Sequence, residues 1–147
     1  MNVDEMAAAL GPFFDAAWSL PGHEVRGLQR LSGGASRETF ALELISPDPL
    51  DKPWPLILQR VRAGTLSGSF TMEGEAKLLG AALDAAVPVA DAVASSDDPS
   101  IIGAPFIVFN RLAGETLGRR ILRDDAYVMA RPKLVAQCAR ALSLIHI

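Results

Sequence analysis

The sequence predicts an α+β fold on an antiparallel sheet, and three observations carry that expectation. Apolar segments of strand length recur five times between Glu24 and Leu112. The early connections are tight or proline-marked, which suits a meander better than helical crossovers. A single amphipathic helix interrupts the strands and further helices follow them, an order that separates strands from helices instead of alternating them.

Taken in order, Asp4 to Leu20 reads as a helix with Asp4 as N-cap and Met6, Leu10, Phe13, Phe14 and Trp18 at helical spacing. Gly11-Pro12 should break or kink it, and Pro21-Gly22 should end it. Val25 to Leu31 is the first strand candidate, followed by the Gly-rich turn Ser32-Gly33-Gly34-Ala35-Ser36. Thr39 to Ile45 alternates, with Phe40, Leu42 and Leu44 on one face. After the loop SPDPLDKPWP comes the short strand Leu56 to Val61. Phe70 to Ala85 is the clearest helix, with Met72, Ala76, Leu79 and Leu83 on one stripe. Val87-Pro88-Val89 begins a fourth extended segment, Ser95 to Ser100 is a turn, and Pro105 to Leu112 is a fifth strand. Gly114-Glu115-Thr116 leads into a helix over Leu117 to Leu122. Pro132 opens the last helix, with Leu134, Cys138, Ala141, Leu142 and Ile145 on one face.

Composition limits the partners. With 147 residues, 50% hydrophobic and 21% charged, the chain can bury a core and is globular in character. A net charge of -3 argues against nucleic acid, whose binders carry basic surfaces. Cys138 is the single cysteine, which excludes an intrachain disulfide and reads as a small hydrophobe. His23 and His146 stand at opposite ends, so no metal-ligand spacing is present. The N-terminus has no basic n-region and no apolar run reaches membrane-spanning length. The expectation is a cytoplasmic protein without a membrane partner.

Four stretches could carry chemistry. Ser32 to Ser36 offers glycines for close backbone approach and N–H groups that can cradle phosphate, although a plain hairpin loop uses the same residues. It is neither a dinucleotide fingerprint, since a strand follows it, nor a Walker loop, since no GxxxxGK[ST] occurs. In Leu56-Ile57-Leu58-Gln59-Arg60 a cation on a strand beneath such a loop could neutralise phosphates. Glu75 lies on the shoulder of the helical apolar stripe, where its carboxylate can reach a cation on the sheet. Phe106 to Leu117 runs from an apolar strand out through Gly114, an exit that can present main-chain groups to a flat heterocycle. Taken singly, each has a bland structural reading at least as good.

Their order is more specific. A Gly-rich hairpin, a basic strand, a helix with an inward Glu, two more strands and a Gly-marked exit resemble the smaller lobe of the protein-kinase-like fold. The wording of LSGGASRETFAL, PLILQRVRAG, MEGEAKLLGAAL with AVPVADAV, and IGAPFIVFNRLAGETLGRRIL is similar to the aminoglycoside phosphotransferase and choline kinase family of small-molecule kinases. It is closest to the branch associated with acyl-CoA dehydrogenases. The resemblance implies an N-terminal helix (1–22), a nucleotide-binding lobe with a five-stranded sheet (23–112), and the exit and first helices of a truncated, helical larger lobe (113–147). It implies that Gly33, Gly34, Ala35 and Ser36 cover the ATP phosphates and that Glu75 steadies the phosphate-binding cation. The main chain of Asn110 and Leu112 would meet the adenine edge, with Phe109 behind it. The partners implied are ATP and a small-molecule alcohol, with Mg²⁺ for the full-length enzyme only.

Two departures qualify the likeness. The strand position usually held by Lys or Arg falls at Gln59, with Arg60 beside it. Adjacent strand residues face opposite ways, so the choice between them stays open, with a slight preference for Arg60. The family's His-Gly-Asp…Asn loop and metal-binding Asp have no counterpart here, so this chain holds no catalytic residue and no metal ligand of that family. The sequence therefore reads as the front half of such a kinase, inactive alone, with Ser143 to Ile147 resembling translated adapter sequence. A non-catalytic nucleotide-binding regulatory module and a structural α+β domain are the alternative readings.

Overall fold

Phe40, Leu42 and Leu44 alternate along one strand, and this period-2 pattern governs the sheet. The computed structural model describes residues 1–31, 37–62 and 71–145. Its elements are α1 (Val3–Trp18), β1 (Glu24–Arg30), β2 (Arg37–Ile45), β3 (Trp54–Val61), α2 (Met72–Asp84), β4 (Ala92–Ser96), α3 (Pro99–Ile102), β5 (Phe106–Asn110), α4 (Gly118–Arg123) and α5 (Arg131–Ser143). The five strands form one sheet in the order β1-β2-β3-β5-β4, and every pairing is antiparallel. The predicted α+β class and five-stranded antiparallel sheet are therefore observed.

The chain divides into two compact units, Met1–Gly80 with Ala90–Arg111, and Ala81–Val89 with Leu112–Ile147. In the first unit α1 covers one face of the sheet. Met6, Leu10 and Phe14, one helical turn apart, are almost completely buried against Phe40, Leu42, Leu44, Leu56, Leu58, Phe106 and Val108. The opposite face carries a smaller cluster in which Met72, Ala76 and Leu79 of α2 meet Ile57, Val61, Ile107 and Phe109. β5 is thus buried on both sides, which explains its unbroken apolar run.

Several boundaries differ from the sequence expectation. α1 begins earlier, capped by Asn2 and not Asp4: Asn2 Oδ1 accepts from the Glu5 N–H at 2.9 Å and Glu5 Oε2 accepts from the Asn2 N–H at 2.9 Å. It also runs through Gly11-Pro12 without ending. Pro12 and Ala8 are both exposed, so the carbonyl that loses its partner faces solvent, while the buried stripe holds the helix together. Gly11 is there for proximity, since a Cβ would stand 2.8 Å from the His23 carbonyl oxygen.

The fourth strand forms at Ala92–Ser96, after Val87-Pro88-Val89, because Pro88 offers no N–H to a ladder. Ser95 and Ser96 belong to that strand, and the turn that follows opens α3, capped by Asp98 through Ser100 N–H at 2.8 Å. The fifth strand stops at Asn110 and α4 starts at Gly118, both inside the expected ranges. Gly27, at φ 61°, sits where the β1–β2 register shifts, a bulge that a left-handed residue permits.

The second unit is held differently. Arg131, at the start of α5, donates Nε–H to the Ile121 carbonyl at 2.8 Å and Nη2 to the Asp124 carbonyl. Arg120 pairs with Glu115 at 2.8 Å and Asp124 at 3.2 Å. Among its described residues only Val87 is buried.

Candidate functional site

The parity of β2 decides what faces α2. Phe40 and Leu42 point toward α1, so Thr39 and Arg37 point to the other side. β3 follows the same rule through its register, Thr39 opposite Gln59 and Glu38 opposite Arg60. On β5 the partner of Gln59 is Ile107, of the α2-side cluster, and that of Arg60 is Phe106, of the α1-side cluster. Gln59 and Arg60 therefore lie on opposite faces of the sheet.

On the α2 side, Glu75 stands in the first turn of its helix. That turn is anchored by two acceptors: Asp97 Oδ1 takes the Met72 N–H at 2.7 Å and Thr71 Oγ1 takes the Gly74 N–H at 3.0 Å. The Glu75 carboxylate is gripped by the fork of Arg37: Nη1 donates to Oε1 at 2.8 Å and Nη2 to Oε2. Arg37 Nη1 also reaches Gln59 Oε1 at 3.4 Å. The Arg37 and Glu75 side chains are 29% and 27% exposed, so the pair is sheltered without being sealed. The hydrogen bond from Arg37, followed by its charge, holds the Glu75 carboxyl below the ordinary glutamate range although burial opposes this. The same bond raises Arg37 further above its already high value.

Arg60, which the sequence reading slightly preferred as partner of Glu75, is engaged elsewhere. It donates Nε–H to Glu38 Oε2 at 2.7 Å and Nη1 to the Ile102 carbonyl at 3.0 Å, and its guanidinium carbon lies 5.4 Å from the Phe40 ring centre. Arg30 shares Glu38 at 2.9 Å. The physical reason is parity: Arg60 must follow Leu56 and Leu58, both fully buried on that face. Sequence reasoning missed Arg37 itself, although the alternation of Phe40, Leu42 and Leu44 carries the signal that places it beside Glu75.

At the other end of the sheet, Asn110 is fixed on three sides. Its Oδ1 accepts from Trp54 Nε1–H at 2.8 Å, its Nδ2 donates to Asp91 Oδ2 at 2.9 Å, and its N–H donates to the Asp91 carbonyl at 3.0 Å. Phe109 is buried on the α2 side. Leu112 falls in the second unit and is 70% exposed. Gly33, Gly34, Ala35 and Ser36 lie outside the described residues, as do Phe70 and His146. A cavity of about 460 Å³ among Trp18, His23, Leu44 and Trp54, and one of about 410 Å³ beside Glu38 and Arg60, involve none of the Arg37, Gln59 and Glu75 side chains. Among the described residues no three His, Cys, Asp or Glu side chains gather as a metal site would require.

A sequence model described as the phosphotransferase enzyme family, APH, matches residues 27–147. No curated protein and no solved structure matches the chain.

Proposed function

Because the chain belongs to the phosphotransferase enzyme family, we propose that it is the ATP-binding lobe of a kinase that moves a γ-phosphoryl group to a small-molecule hydroxyl. Within the family we assign it to the branch associated with acyl-CoA dehydrogenases, on the wording of LSGGASRETFAL and PLILQRVRAG. The observation that carries the nucleotide reading is the Arg37–Glu75 pair. A helix carboxylate holds a cation against the sheet face, one residue beyond the Gly-rich stretch Ser32–Ser36. Catalysis in this chemistry is chiefly positioning and charge stabilisation, so a pre-oriented cation beside a phosphate loop is the part a nucleotide lobe must supply.

Each residue has a defined task in this reading. Gly33, Gly34, Ala35 and Ser36 supply main-chain N–H groups to phosphate oxygens. Glu75 orients the cation. Phe109 gives the base an apolar backing. The Asn110 carbonyl faces the adenine edge, its N–H being committed to Asp91.

Mg²⁺ would supply charge neutralisation at the phosphates in the whole enzyme, but among the described residues no three His, Cys, Asp or Glu side chains gather to hold it. The sequence has no His-Gly-Asp motif to take the proton of an acceptor hydroxyl. We therefore expect binding without turnover. No helix among the described residues is long and apolar enough to cross a membrane, and we propose a cytoplasmic location.

Calorimetric titration of the purified chain with ATP tests the reading. Saturable binding to one site, with no phosphorylation of sugars or alcohols in a coupled assay, is expected. Failure of ATP to saturate would remove the nucleotide reading in favour of a structural domain. Turnover would overturn the inactive-fragment reading.

A further inference from the structure

We propose that Arg37, on β2, is the cation that meets the nucleotide phosphates, taking over a task that β3 cannot perform in this chain. The proposal rests on the ATP-binding reading above.

Within Trp54–Val61 the only cation is Arg60, and it is on the α1 side, bonded to Glu38 and the Ile102 carbonyl. Bringing it to the α2 side would slip β3 by one residue and turn Leu56 and Leu58, both 0% exposed, away from the α1-side cluster that buries them. The β3 residue that does face Glu75 is Gln59, which is uncharged. Glu75 has instead found its cation on the neighbouring strand.

Arg37 suits the task by position and by unused capacity. It directly follows Ser36 in the sequence and is the first residue of β2, so the cation stands next in the chain to the Gly-rich stretch. A guanidinium has five N–H donors in a planar fork, and Glu75 occupies one edge of it. Arg37 Nε–H has no partner among the described residues, leaving donors for phosphate oxygens while Glu75 fixes the plane. Gln59 completes the arrangement. Its Oε1 accepts from Arg37, which leaves its amide N–H₂ as the group to donate to an anion.

The test compares ATP and adenosine binding to the full chain without Mg²⁺. Adenosine reports the base site alone, so the ratio of the two affinities isolates the phosphate contribution. Arg37→Ala should lower ATP affinity about tenfold or more while adenosine affinity holds. Arg37→Lys should restore part of it, and Gln59→Lys in the Arg37→Ala background should restore the ATP preference. Equal loss of both ligands in Arg37→Ala would make Arg37 a structural residue and overturn the proposal. So would a selective loss of ATP affinity in Arg60→Ala but not in Arg37→Ala. If the unaltered chain binds neither ligand, the ATP-binding reading itself has failed, a result distinct from those two.

Discussion

Trp54, the first residue of β3, donates its indole N–H to the side-chain oxygen of Asn110, the last residue of β5, at 2.8 Å. The same Asn110 amide donates to Asp91 at 2.9 Å, just ahead of β4. One side chain therefore ties together the end of the sheet at which the proposed adenine contact lies. The Arg111 N–H, donating to the Pro55 carbonyl at 3.1 Å, adds a main-chain tie at the same place.

Asn110→Ala should remove both side-chain bonds and cost about 1–2 kcal/mol of stability, because each is partly solvated. Adenosine and ATP affinities should fall together, leaving their ratio unchanged. Urea unfolding and paired titrations measure both. A fall confined to ATP would disconnect Asn110 from the base site.

Acid should weaken the first unit through Glu75. Its folded-state pKa is depressed, chiefly by the hydrogen bond from Arg37, so its contribution is fully present above its unfolded pKa. That contribution is lost as pH falls from about 4.3 through the folded value. Glu38, lowered by its bond to Arg60 and by nearby arginine charges, acts in the same direction. The unfolding free energy measured between pH 6 and 3 should drop for the unaltered chain and drop less steeply for Glu75→Gln.

Two glycine-to-alanine changes in helices should have opposite signs. Ala has the better helix propensity by about 1 kcal/mol, which favours both substitutions. At Gly80 of α2 the new Cβ meets nothing within 4 Å, so Gly80→Ala should stabilise. At Gly11 of α1 it would stand 2.8 Å from a main-chain oxygen, so Gly11→Ala should destabilise by about 1–3 kcal/mol despite its propensity. Thermal melts of the two variants decide this, and a rise for Gly11→Ala would show that α1 packs less tightly than described.

Limited proteolysis should first cut the segment beyond Leu112. Its described residues include no buried one, and Val135 of α5 is 80% exposed. Segments with few buried contacts open at low free energy. Early fragments ending near residue 112, with the sheet intact, are the expected mass-spectrometric pattern. Early cuts inside β2 or β5 would contradict it.

How far the sequence could be read follows from burial geometry. β2 has one strongly buried face, so its alternation was visible, as was the stripe of α2 through Met72, Ala76 and Leu79. β3 and β5 are covered on both faces by α1 and α2, so Leu56-Ile57-Leu58 and Phe106 to Phe109 read as apolar runs and hide which residue faces which way. The place of Arg60 was lost there, and with it the identity of the partner of Glu75. Local rules also yielded to packing at Pro12, where buried Leu10 and Phe14 keep α1 continuous. The family was legible because the order of the motifs survives even where single positions are ambiguous.

The sheet order β1-β2-β3-β5-β4 has a kinetic consequence. β1, β2 and β3 pair with their sequence neighbours, whereas β3 must wait for β5, which follows α2 and β4 along the chain. Closing that longer loop costs more chain entropy, so the first hairpins should form ahead of the β3–β5 ladder. Core truncations should then divide by strand: Leu42→Ala slows folding, whereas Val108→Ala chiefly hastens unfolding. Stopped-flow chevrons for the pair would read the sequence of assembly directly, and a folding arm slowed equally by both would mean that the whole sheet condenses in one step.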